Sequence, residues 1–483
     1  MADVIPFTNF RPAAHLAARV AAAPYDTYSR REAAAEIHKH PLSFLRIDKP
    51  AALLPDSVDE YAPEVYALAR QQLDGDFAAG VFVLDDVSAE RDTAERDTAE
   101  QAAAERNAAE RSAAQESTDG QATSEKDTLR DALGIKTTSA PAYYYVYRLI
   151  QDDHVQTGLV ACVAATDYDS AIIKRHENTR AHKQQDRVDH INALGAHTGP
   201  VLLTYRSCVD VDAALQVVCA AAPPLFDFAA FDGVRHQVWR VADRSLQAGI
   251  QAAFANLDSL YIADGHHRAA AAALIAAQRR ASFEASAEAL TRASTGALAG
   301  ASLGASTGAS HFLAVLFGDD QMRILDYNRV VSTLGGHTPA RLLELVAARF
   351  NLEKQGTDPY RPDRRGTIAL YLDGCWYKLS IDPATRSTDS VDSLDIAILH
   401  SNLLAPLLGI TDPRSDPHIA YVGGSRGLEE LARRADAAGG AAFALYPCSM
   451  TELFTVADAG RLMPPKSTWF EPKPASGLFI HRL

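Results

Sequence analysis

The residues with the clearest chemical potential lie at the end of a short apolar run, Leu260–Ala263. Five residues that suit a binding turn follow it: Asp264, Gly265, His266, His267 and Arg268. An alanine-rich stretch comes next. The order therefore predicts a strand, a turn that needs Gly265, and a helix with Asp264 as its N-cap. Unpaired N–H groups and the dipole at a helix N-terminus attract negative charge. The stretch predicts a cradle for an anion, with phosphate as the favoured ligand.

A purely structural turn is the alternative, because many strand–Asp-Gly–helix junctions bind nothing. The two histidines and the arginine favour a binding site over that alternative. Neighbouring histidines point apart, so His266 and His267 are expected to act as separate hydrogen-bonding groups rather than to chelate a metal together. A hydrolytic metal centre would also need a third histidine and a carboxylate at useful spacing, and the sequence around this pair lacks them.

A second polar cluster follows the apolar pair Ile172-Ile173. It contains Lys174, His176, Glu177, Asn178, Thr179 and Arg180. Thr179 is expected to cap a helix that starts near Arg180. Since His176 and Glu177 follow a predicted strand, their side chains should project over the end of a sheet. A glutamate in that position, opposite a phosphate cradle, can act as a general base.

The predicted helix after Arg180 carries polar side chains at spacings of three and four, so they share one face. These residues are Lys183, Asp186, Arg187 and His190. A solvated helix face laced with ion pairs is the alternative to a functional role for them.

Three further segments combine a turn with groups that bind ligands. Tyr421–Gly427 predicts a strand, a glycine-rich turn and a helix whose backbone can hold an anion, although it lacks the lysine and spacing of a Walker loop. Lys466-Ser467-Thr468 offers charge and hydroxyls after the rigid Pro464-Pro465, or belongs to a tail docked by its aromatic residues. Pro24-Tyr25-Asp26 predicts a turn that exposes a carboxylate beside an aromatic ring, and such a turn can be purely structural.

The bulk properties limit the class of protein. The chain has 483 residues, 47% of them hydrophobic, which predicts two or three domains with ample core. No apolar run approaches the roughly 18 residues of a membrane span and no secretory leader is evident, so we expect a cytoplasmic protein without membrane contact. Five scattered cysteines argue against a disulfide framework or a zinc ribbon. The net charge of −14 disfavours nucleic acid as a partner. A homodimer is compatible with the sequence, which leaves the oligomeric state open.

Composition divides the chain into four segments. An N-terminal α/β block, 1–87, precedes a low-complexity insertion at 88–140, which we expect to be disordered. The core is expected at 141–333 and a C-terminal α/β block at 334–483. Within the core, 281–310 is rich in Ala, Ser, Thr and Gly and is predicted to form a flexible loop directly after the alanine-rich helix. Helices and strands alternate through the ordered blocks, which predicts an α/β or α+β fold.

Hydrophobic patterning places the main elements of these blocks. Strands are predicted at Tyr143–Ile150, Thr157–Ala164, Val201–Tyr205, Val238–Val241, His311–Phe317 and Ile324–Val331. Helices are predicted at Tyr61–Leu73, Arg180–Leu194, 341–350 and Leu428–Arg434. A hairpin is predicted over Leu370–Leu379, turning at Asp373-Gly374.

The two polar clusters together resemble a known pattern. Lys174, His176 and Glu177, followed later by a strand and Asp264–Arg268, resemble the ParB/sulfiredoxin-like superfamily and, within it, the free L-serine kinases. In those enzymes the glutamate after the histidine is the base that activates the serine hydroxyl, and the Asp-Gly-His-His-Arg loop holds the donor phosphates. The two motifs lie much farther apart here than in the small kinases, so Glu177 is matched by motif and order.

Nearly all of the chain outside the two insertions is also similar to a prokaryotic family known as domain of unknown function ten-fifteen. The matching motifs are Pro24-Tyr25-Asp26, Gln156-Thr157-Gly158-Leu159, His176-Glu177-Asn178-Thr179, Thr198-Gly199-Pro200, Asp264–Arg268, Gly423-Gly424 and Pro464–Thr468. The resemblance implies a ParB/sulfiredoxin-like core elaborated by N- and C-terminal α/β blocks. The two insertions depart from the family pattern, and the loop at 281–310 lies close in sequence to the proposed site.

The resemblance implies transfer of a phosphoryl group from ATP, ADP or pyrophosphate, with Mg²⁺, to the hydroxyl of free L-serine. Glu177 would be the base, Arg268 would pair with phosphate oxygens and His267 would donate to developing charge. The donor site would comprise Asp264, Gly265, His266, His267, Arg268, Lys466, Ser467 and Thr468. Asp264 would also be a ligand of the magnesium ion. The serine site would comprise His176, Asn178, Thr179, Arg180, Tyr25 and Asp26. The alternative function is a nucleotide- or amino-acid-binding regulator of ParB-like fold without turnover.

Overall fold

A computed structural model of the protein describes residues 1–87, 141–293 and 310–483. The low-complexity insertion expected at 88–140 therefore lies outside the described residues, as does 294–309. Helices and strands alternate along the described chain, which confirms the predicted mixed α/β class. In this part of the chain, no helix combines the length and apolar character needed to cross a bilayer.

The bounds of the elements follow the chain. Strands β1 to β21 are, in order, Val4–Ile5, Phe10–Pro12, Phe82–Leu84, Tyr144–Gln151, His154–Ala164, Ile173–Lys174, Ala196–His197, Val201–Tyr205, Phe226–Ala229, Arg235–Val241, Leu260–Asp264, His311–Gly318, Ile324–Leu325, Tyr327–Val331, Asn351–Gly356, Thr367–Leu372, Cys375–Ser380, Ile419–Gly423, Ala441–Leu445, Trp469–Phe470 and His481–Arg482. Helices α1 to α14 are Ala17–Val20, Arg30–Lys39, Leu45–Asp48, Pro63–Ala78, Ala165–Asp169, Ala181–Leu194, Val209–Ala221, Arg244–Ala255, His266–Ala293, Pro339–Ala347, Asp395–Leu399, Ala405–Leu408, Leu428–Ala438 and Met450–Asp458.

The larger sheet has nine strands in the order β6-β11-β8-β12-β5-β4-β10-β9, with β1 added to β5. Its central strands are buried on both faces. Successive residues of β5 show this: Leu159 and Ala161 pack into one hydrophobic cluster, whereas Val160 and Cys162 pack into another on the opposite face. Side chains that alternate between two apolar layers are typical of a central strand covered on both sides. The larger sheet therefore forms a rigid support for the loops at its edges.

Helix α6, which follows the motif of His176 and Glu177, packs directly against helix α9, which follows the turn at Gly265. Helix α6 contributes Val188 and Ile191, and helix α9 contributes Ala271 and Ile275, to one small apolar cluster. Both helices follow strands that are neighbours in the sheet, since β6 and β11 pair in parallel. Parallel neighbours end at the same edge of a sheet. The two motifs, distant in sequence, are thereby brought to one place.

The smaller sheet has six strands in the order β15-β17-β16-β19-β14-β18. Strand β14 lies before the block boundary expected at residue 333, yet among the described strands its partners are β18 and β19 of the C-terminal block. The single strand expected over Ile324–Val331 is broken at Asp326, where the chain passes from β13 to β14. The two sheets consequently divide near Asp326 rather than at residue 333.

The C-terminal tail returns to the N-terminal half of the chain. Strand β21 pairs with β7, and Ile480 forms an isolated bridge with Phe10. Ser476 forms another bridge with Ala22. The terminal blocks expected from composition are therefore interlocked with the core by backbone hydrogen bonds.

Residues 281–293 of the segment expected to form a flexible loop are helical, because helix α9 continues to Ala293, and residues 294–309 of that prediction lie outside the described residues. The reason is composition: alanine has the highest helix propensity of all residues, and the alanines at the start of this stretch extend the helix.

The hairpin over β16 and β17 forms where it was predicted, with Asp373 and Gly374 at positive φ angles of 51° and 74°. Those angles match the two-residue turn that Asp-Gly favours.

Candidate functional site

The candidate site lies at the shared edge where β6 and β11 end. His176 and His266 follow these two strands, and their rings meet edge to face with centroids 4.5 Å apart. Both histidines are buried, and burial lowers the pKa of His176 to about 4. Burial also lowers the pKa of His266 well below its usual value, with His176 adding to the effect. Both rings are therefore neutral at pH 7 and act as hydrogen-bonding groups rather than as cations.

Gly265 forms the turn between β11 and α9. Its φ angle is +90°, and a Cβ there would lie 3.2 Å from Nε of Arg268. Glycine is the residue that adopts this conformation without strain, and its small size admits the guanidinium. The turn thus fixes the position of Arg268 relative to the end of the strand.

The predicted N-cap role of Asp264 is wrong. Asp264 is the last residue of β11, Gly265 precedes the helix, and α9 starts at His266. The carboxylate is instead 3.2 Å from Nζ of Lys473 and 3.8 Å from Nη2 of Arg268. Two cations stabilise this half-buried carboxylate more than the helix N–H groups would, so the side chain pairs with the cations.

The charge of Asp264 is held by these cations. Burial alone would raise its pKa, but Lys473, Arg268 and the more distant Lys466 lower it to about 2. Lys473 is itself largely buried, and Asp264 keeps its pKa above the usual value despite the cost of burial. Sequence analysis missed Lys473, whose one signal is a lysine enclosed by Pro472 and Pro474 in the tail.

Arg268 is also anchored from the other side. Its Nη1 donates to the carbonyl oxygen of Pro200 at 2.7 Å. A Cβ on Gly199 would lie 3.0 Å from the same nitrogen, so the glycine leaves room for the guanidinium. The Thr198-Gly199-Pro200 motif therefore has a structural purpose, which is to hold Arg268 at the mouth of the turn.

Lys466 reaches the site from the C-terminal tail. Burial disfavours its charge, yet Tyr327, Glu177 and Asp26 raise its pKa above the usual value. Its backbone has a φ angle of +57°, which is strained for a lysine. Arg329 stabilises that conformation, because its Nη2 donates to the carbonyl oxygen of Lys466 at 2.7 Å. An ammonium is thus held in place near Glu177.

Glu177 has no hydrogen-bond or ion-pair partner among residues 1–87, 141–293 and 310–483. Burial raises its pKa, and the charge of Asp264 adds to the rise, whereas Lys466, Arg414 and Arg180 oppose it. A partly buried carboxylate with a raised pKa and no partner is suited to accept a proton from a substrate.

His267 lies between the two motifs. Its Nε2 accepts the backbone N–H of Arg180 at 3.0 Å. Burial and the charge of Lys466 lower its pKa to about 4. The ring is therefore neutral, and because Nε2 accepts a hydrogen bond, its proton is on Nδ1.

The predicted cap at Thr179 is wrong. Arg180 precedes helix α6, and no side chain caps that helix. The hydroxyl of Thr179 donates to the side chain of Gln184 at 3.3 Å instead. The side chain of Arg180 donates to the carbonyl oxygen of Arg414 at 2.9 Å, and Asn178 is exposed. This part of the second motif connects the larger sheet to the C-terminal block.

The polar face of α6 is not solvated, so that alternative is wrong. Asp186, Arg187 and His190 are buried, and Lys183 is half-buried. The guanidinium of Arg187 lies 4.0 Å from the ring centroid of Tyr25 and pairs with Asp186 at 2.9 Å. Burial raises the pKa of Tyr25 to about 12, although Arg187 opposes the rise. These contacts fix the short 3₁₀ turn that carries Tyr25 and exposes the carboxylate of Asp26.

The hydroxyls of the tail motif are engaged within the protein. Ser467 donates to the carbonyl oxygen of Pro464 at 2.6 Å, and Thr468 lies 3.2 Å from Nε2 of His176. Trp469 packs so closely on Gly423 that a Cβ there would lie 2.7 Å from the indole. Of this motif, Lys466 is the residue whose charged group faces the site.

The glycine-rich turn after β18 has a packing explanation. A Cβ on Gly424 would clash with the carboxylate of Asp326, and the backbone N–H of Gly424 donates to the carbonyl oxygen of Asp326 at 2.7 Å. Gly427 adopts a φ angle of +80° before α13. The turn therefore closes the gap between the two sheets, and these contacts account for its glycines without an anion.

The role of Asp264 as a magnesium ligand stays a prediction. Its charge is already paired with Lys473 and Arg268. Within the described ranges, no three His, Cys, Asp or Glu side chains are grouped to hold a metal ion.

Comparison with known proteins gives one strong match. The model of a family described as a protein of unknown function, DUF1015, matches residues 4–91 and 94–397. No curated protein matches the chain.

Among solved structures, a free serine kinase in complex with AMP is 13% identical, with a TM-score of 0.31, over 66% of this chain and 92% of that one. A mutant free serine kinase in complex with ADP is 14% identical, with a TM-score of 0.31, over 68% of this chain and 95% of that one. SbnI from Staphylococcus aureus, with a C-terminal truncation, is 11% identical, with a TM-score of 0.33, over 66% and 86%. Likenesses this weak establish neither a common ligand nor a common activity.

Proposed function

The chain belongs to the DUF1015 family of proteins of unknown function, and we propose that it is a small-molecule kinase that phosphorylates the hydroxyl of free L-serine to O-phosphoserine. One observation carries the proposal. Glu177, which has no hydrogen-bond or ion-pair partner in the described part of the chain, lies near Lys466 and at the same sheet edge as the Gly265–Arg268 turn. The resemblance of both motifs to those of free L-serine kinases supports the same conclusion.

Transfer of a phosphoryl group needs positioning and neutralisation of charge more than covalent help from the protein. Lys466, Lys473 and Arg268 supply three permanent positive charges around Asp264. Arg268, held by the carbonyl of Pro200, is placed to pair with phosphate oxygens. The N–H groups at the start of α9 add donors for the same oxygens.

Glu177 is proposed as the general base. It would take the proton of the serine hydroxyl while the hydroxyl oxygen forms a bond to the transferred phosphorus. The bond from that phosphorus to the bridging oxygen of the donor breaks, and its electron pair leaves with the donor remnant. Raised pKa values favour this step, because a stronger base takes the proton more readily.

The neutral histidines have lesser roles in this proposal. His267, protonated on Nδ1, would donate a hydrogen bond to charge that develops on the phosphoryl group. His176 would position the loop that carries Glu177, because its ring contacts His266 and Thr468. Asn178, Arg180, Tyr25 and Asp26, which border the site, stay our candidates for contacts to serine.

The base assignment is tested by Glu177→Gln, which keeps the shape of the side chain but cannot accept the proton. We expect kcat to fall by at least about 100-fold, with the affinity for the donor within about twofold of wild type. Glu353→Gln, at an exposed site on β15, is the matched control and should have wild-type kcat. A folded Glu177→Gln protein with full turnover would contradict the assignment.

The phosphate cradle is tested by Arg268→Ala in the same assay. We expect the KM for the donor to rise and kcat to fall, because the guanidinium contacts the phosphate in both ground and transition states. Donor KM and kcat that both stay at the wild-type values would show that the turn does not hold the phosphate.

A further inference from the structure

Two small cavities lie between α3, α6 and the turn that carries Tyr25. Their volumes are about 40 and 20 Å³, and four side chains line both of them: Tyr25, Asp48, Arg187 and His190. A water-sized group occupies roughly 10–15 Å³ of such a space, so the two cavities together hold about five non-hydrogen atoms or waters. That space excludes a nucleotide and matches the ammonium, Cα and carboxylate of one amino acid.

The smaller cavity reaches the turn that carries the phosphate cradle, because Arg268 and Gly199 lie in its wall. From the position that a Cβ on Gly199 would occupy, Nη1 of Arg268 lies 3.0 Å away and Oδ2 of Asp48 lies 3.8 Å away. The guanidinium and the carboxylate are thus close neighbours across Gly199. A ligand held by Asp48 consequently lies next to Arg268.

The turn at Tyr25 gives a second link to the candidate site. Tyr25 lines both cavities, and the next residue, Asp26, carries a charge that helps to raise the pKa of Lys466 and of Lys473. Such an effect requires proximity, because charges at a protein surface are screened by water and salt. One short turn therefore borders both the cavities and the two lysines of the tail.

Asp48 is a buried carboxylate that is satisfied only in part. Its side chain is 5% exposed, and its Oδ1 accepts the hydroxyl of Thr198 at 3.3 Å. Among the described residues, no nitrogen of a basic side chain lies within 4.0 Å of this carboxylate, and Oδ2 has no hydrogen-bond partner but keeps accessible surface. Buried carboxylates are nearly always paired, so a cationic ligand group is expected at Oδ2.

Arg187 presents the opposite charge. Its Nε and Nη2 contact Asp186 at 3.0 and 2.9 Å, and its guanidinium packs over the ring of Tyr25. Nη1 has no hydrogen-bond partner in the described part of the chain and keeps accessible surface, so it can donate to a carboxylate. The lysines of the larger cavity, Lys49 and Lys183, donate instead to oxygens of the protein at 2.6 and 2.8 Å.

The two opposite charges line the same cavities without pairing with each other, since Arg187 and Asp48 form no ion pair. An anion alone would leave Asp48 unmatched, and a cation alone would leave Nη1 of Arg187 unmatched. His190 adds no charge, because burial lowers its pKa to about 4. A small molecule that carries both an ammonium and a carboxylate satisfies both walls, and an α-amino acid carries them on one carbon.

We propose that these cavities bind the α-ammonium and α-carboxylate of a small amino acid, with Asp48 pairing with the ammonium and Arg187 with the carboxylate. The short side chain of the amino acid then extends along the wall that contains Arg268. The identification of this amino acid as the phosphoryl acceptor rests on the proposed function, but the subsite is defined by binding alone.

The first test uses the wild-type full chain and three probes that differ in their charged groups. L-Serine carries both charges, ethanolamine lacks the carboxylate and 3-hydroxypropanoate lacks the ammonium. In calorimetric titrations, with and without ADP, we expect L-serine to bind at least about tenfold more tightly than either analogue. Equal affinities for the three probes, or no binding of L-serine in either condition, would overturn the subsite.

The second test assigns each charge to a residue. Asp48→Asn should weaken L-serine binding at least about tenfold and leave 3-hydroxypropanoate, which has no ammonium, within about twofold of wild type. Arg187→Lys keeps the charge beside Asp186 but not the planar fork, so it should weaken L-serine at least about fivefold and leave ethanolamine within about twofold. Asp363→Asn and Arg341→Lys, at exposed sites, are the matched controls.

A merely structural role of these residues predicts a different pattern, in which either variant weakens all three probes equally. That pattern would overturn the subsite, as would wild-type affinity for L-serine in both variants. Formation of phosphoserine with a wild-type KM for L-serine in both variants would overturn the subsite and keep the kinase. L-Serine binding that depends on both residues, without phosphoserine from any donor, would keep the subsite and overturn the kinase.

Discussion

At the scale of single residues, the candidate site is defined by how its charges are paired. Asp264 forms ion pairs with two cations, whereas Glu177 forms an ion pair with none of the described side chains. Two carboxylates at one sheet edge therefore have opposite pKa shifts, down for Asp264 and up for Glu177. Such a divergence separates a structural carboxylate from one that can exchange a proton.

The raised pKa of Glu177 predicts a pH dependence. A general base works only when deprotonated, so kcat/KM for serine should fall as the pH drops through the pKa of Glu177. Because that pKa lies above the ordinary glutamate value of 4.5, the fall should begin at a correspondingly higher pH. A pH–rate profile measures it, with Glu177→Asp as a comparison. An acid limb at or below pH 4.5 would contradict this role.

The pair of Lys473 and Asp264 predicts a loss of stability. Lys473→Met leaves Asp264, whose side chain is 25% exposed, without its closest cation, which we expect to cost about 1–3 kcal/mol. Urea unfolding measures the change. Lys39→Met, at an exposed site on α2, is the control and should stay within about 0.5 kcal/mol of wild type. Equal stabilities of the two variants would show that the pair contributes nothing.

At the scale of elements, the parallel pairing of β6 with β11 brings the two motifs together. The sequence predicts both strand ends and both helices, but it contains no signal for which strands are neighbours. The sequence also assigns Asp264 to the start of the helix, although it is the last residue of β11, because a cap is inferred from the residue type alone. Lys473 forms the ion pair with this carboxylate. It lies more than 200 residues away in the chain, and no local sequence pattern connects the two residues.

The turn between β11 and α9 predicts contrasting effects at two glycines. Gly265→Ala places a Cβ at a φ angle of +90° and 3.2 Å from Arg268, so we expect a loss of about 1–3 kcal/mol and weaker phosphate binding. Gly249→Ala, inside α8, meets no atom within 4 Å and should stabilise the protein by about 0.5–1 kcal/mol. Thermal unfolding distinguishes them. If Gly265→Ala unfolds at the same temperature as wild type, the turn must change its conformation to accommodate the Cβ.

At the scale of the whole molecule, the tail joins the parts of the site. Residues 464–473 carry both lysines that surround Asp264, and β20 and β21 attach the tail to the rest of the chain at two points. The sequence divides the chain into successive blocks, whereas the described chain interlocks them. Composition cannot reveal this, because a returning strand of two residues has no distinctive pattern.

Docking of the tail predicts an effect at a distance. In Gly423→Ala the new Cβ would meet the indole of Trp469 at 2.7 Å, so the tail must shift and carry Lys466 with it. We expect a change in tryptophan fluorescence and at least about fivefold weaker binding of pyrophosphate. Gly75→Ala, in α4, meets nothing within 4 Å and is the control. Unchanged pyrophosphate affinity alongside altered fluorescence would mean that Lys466 does not contact phosphate.

The most direct test of the proposed activity is ³¹P NMR of the purified protein with Mg²⁺ and L-serine, with ATP, ADP or pyrophosphate in separate tubes. We predict an O-phosphoserine resonance in at least one of the three tubes, which is abolished by Glu177→Gln and kept by Glu353→Gln. The absence of phosphoserine from all three tubes, with the protein folded, would contradict the assignment of the site as a serine kinase.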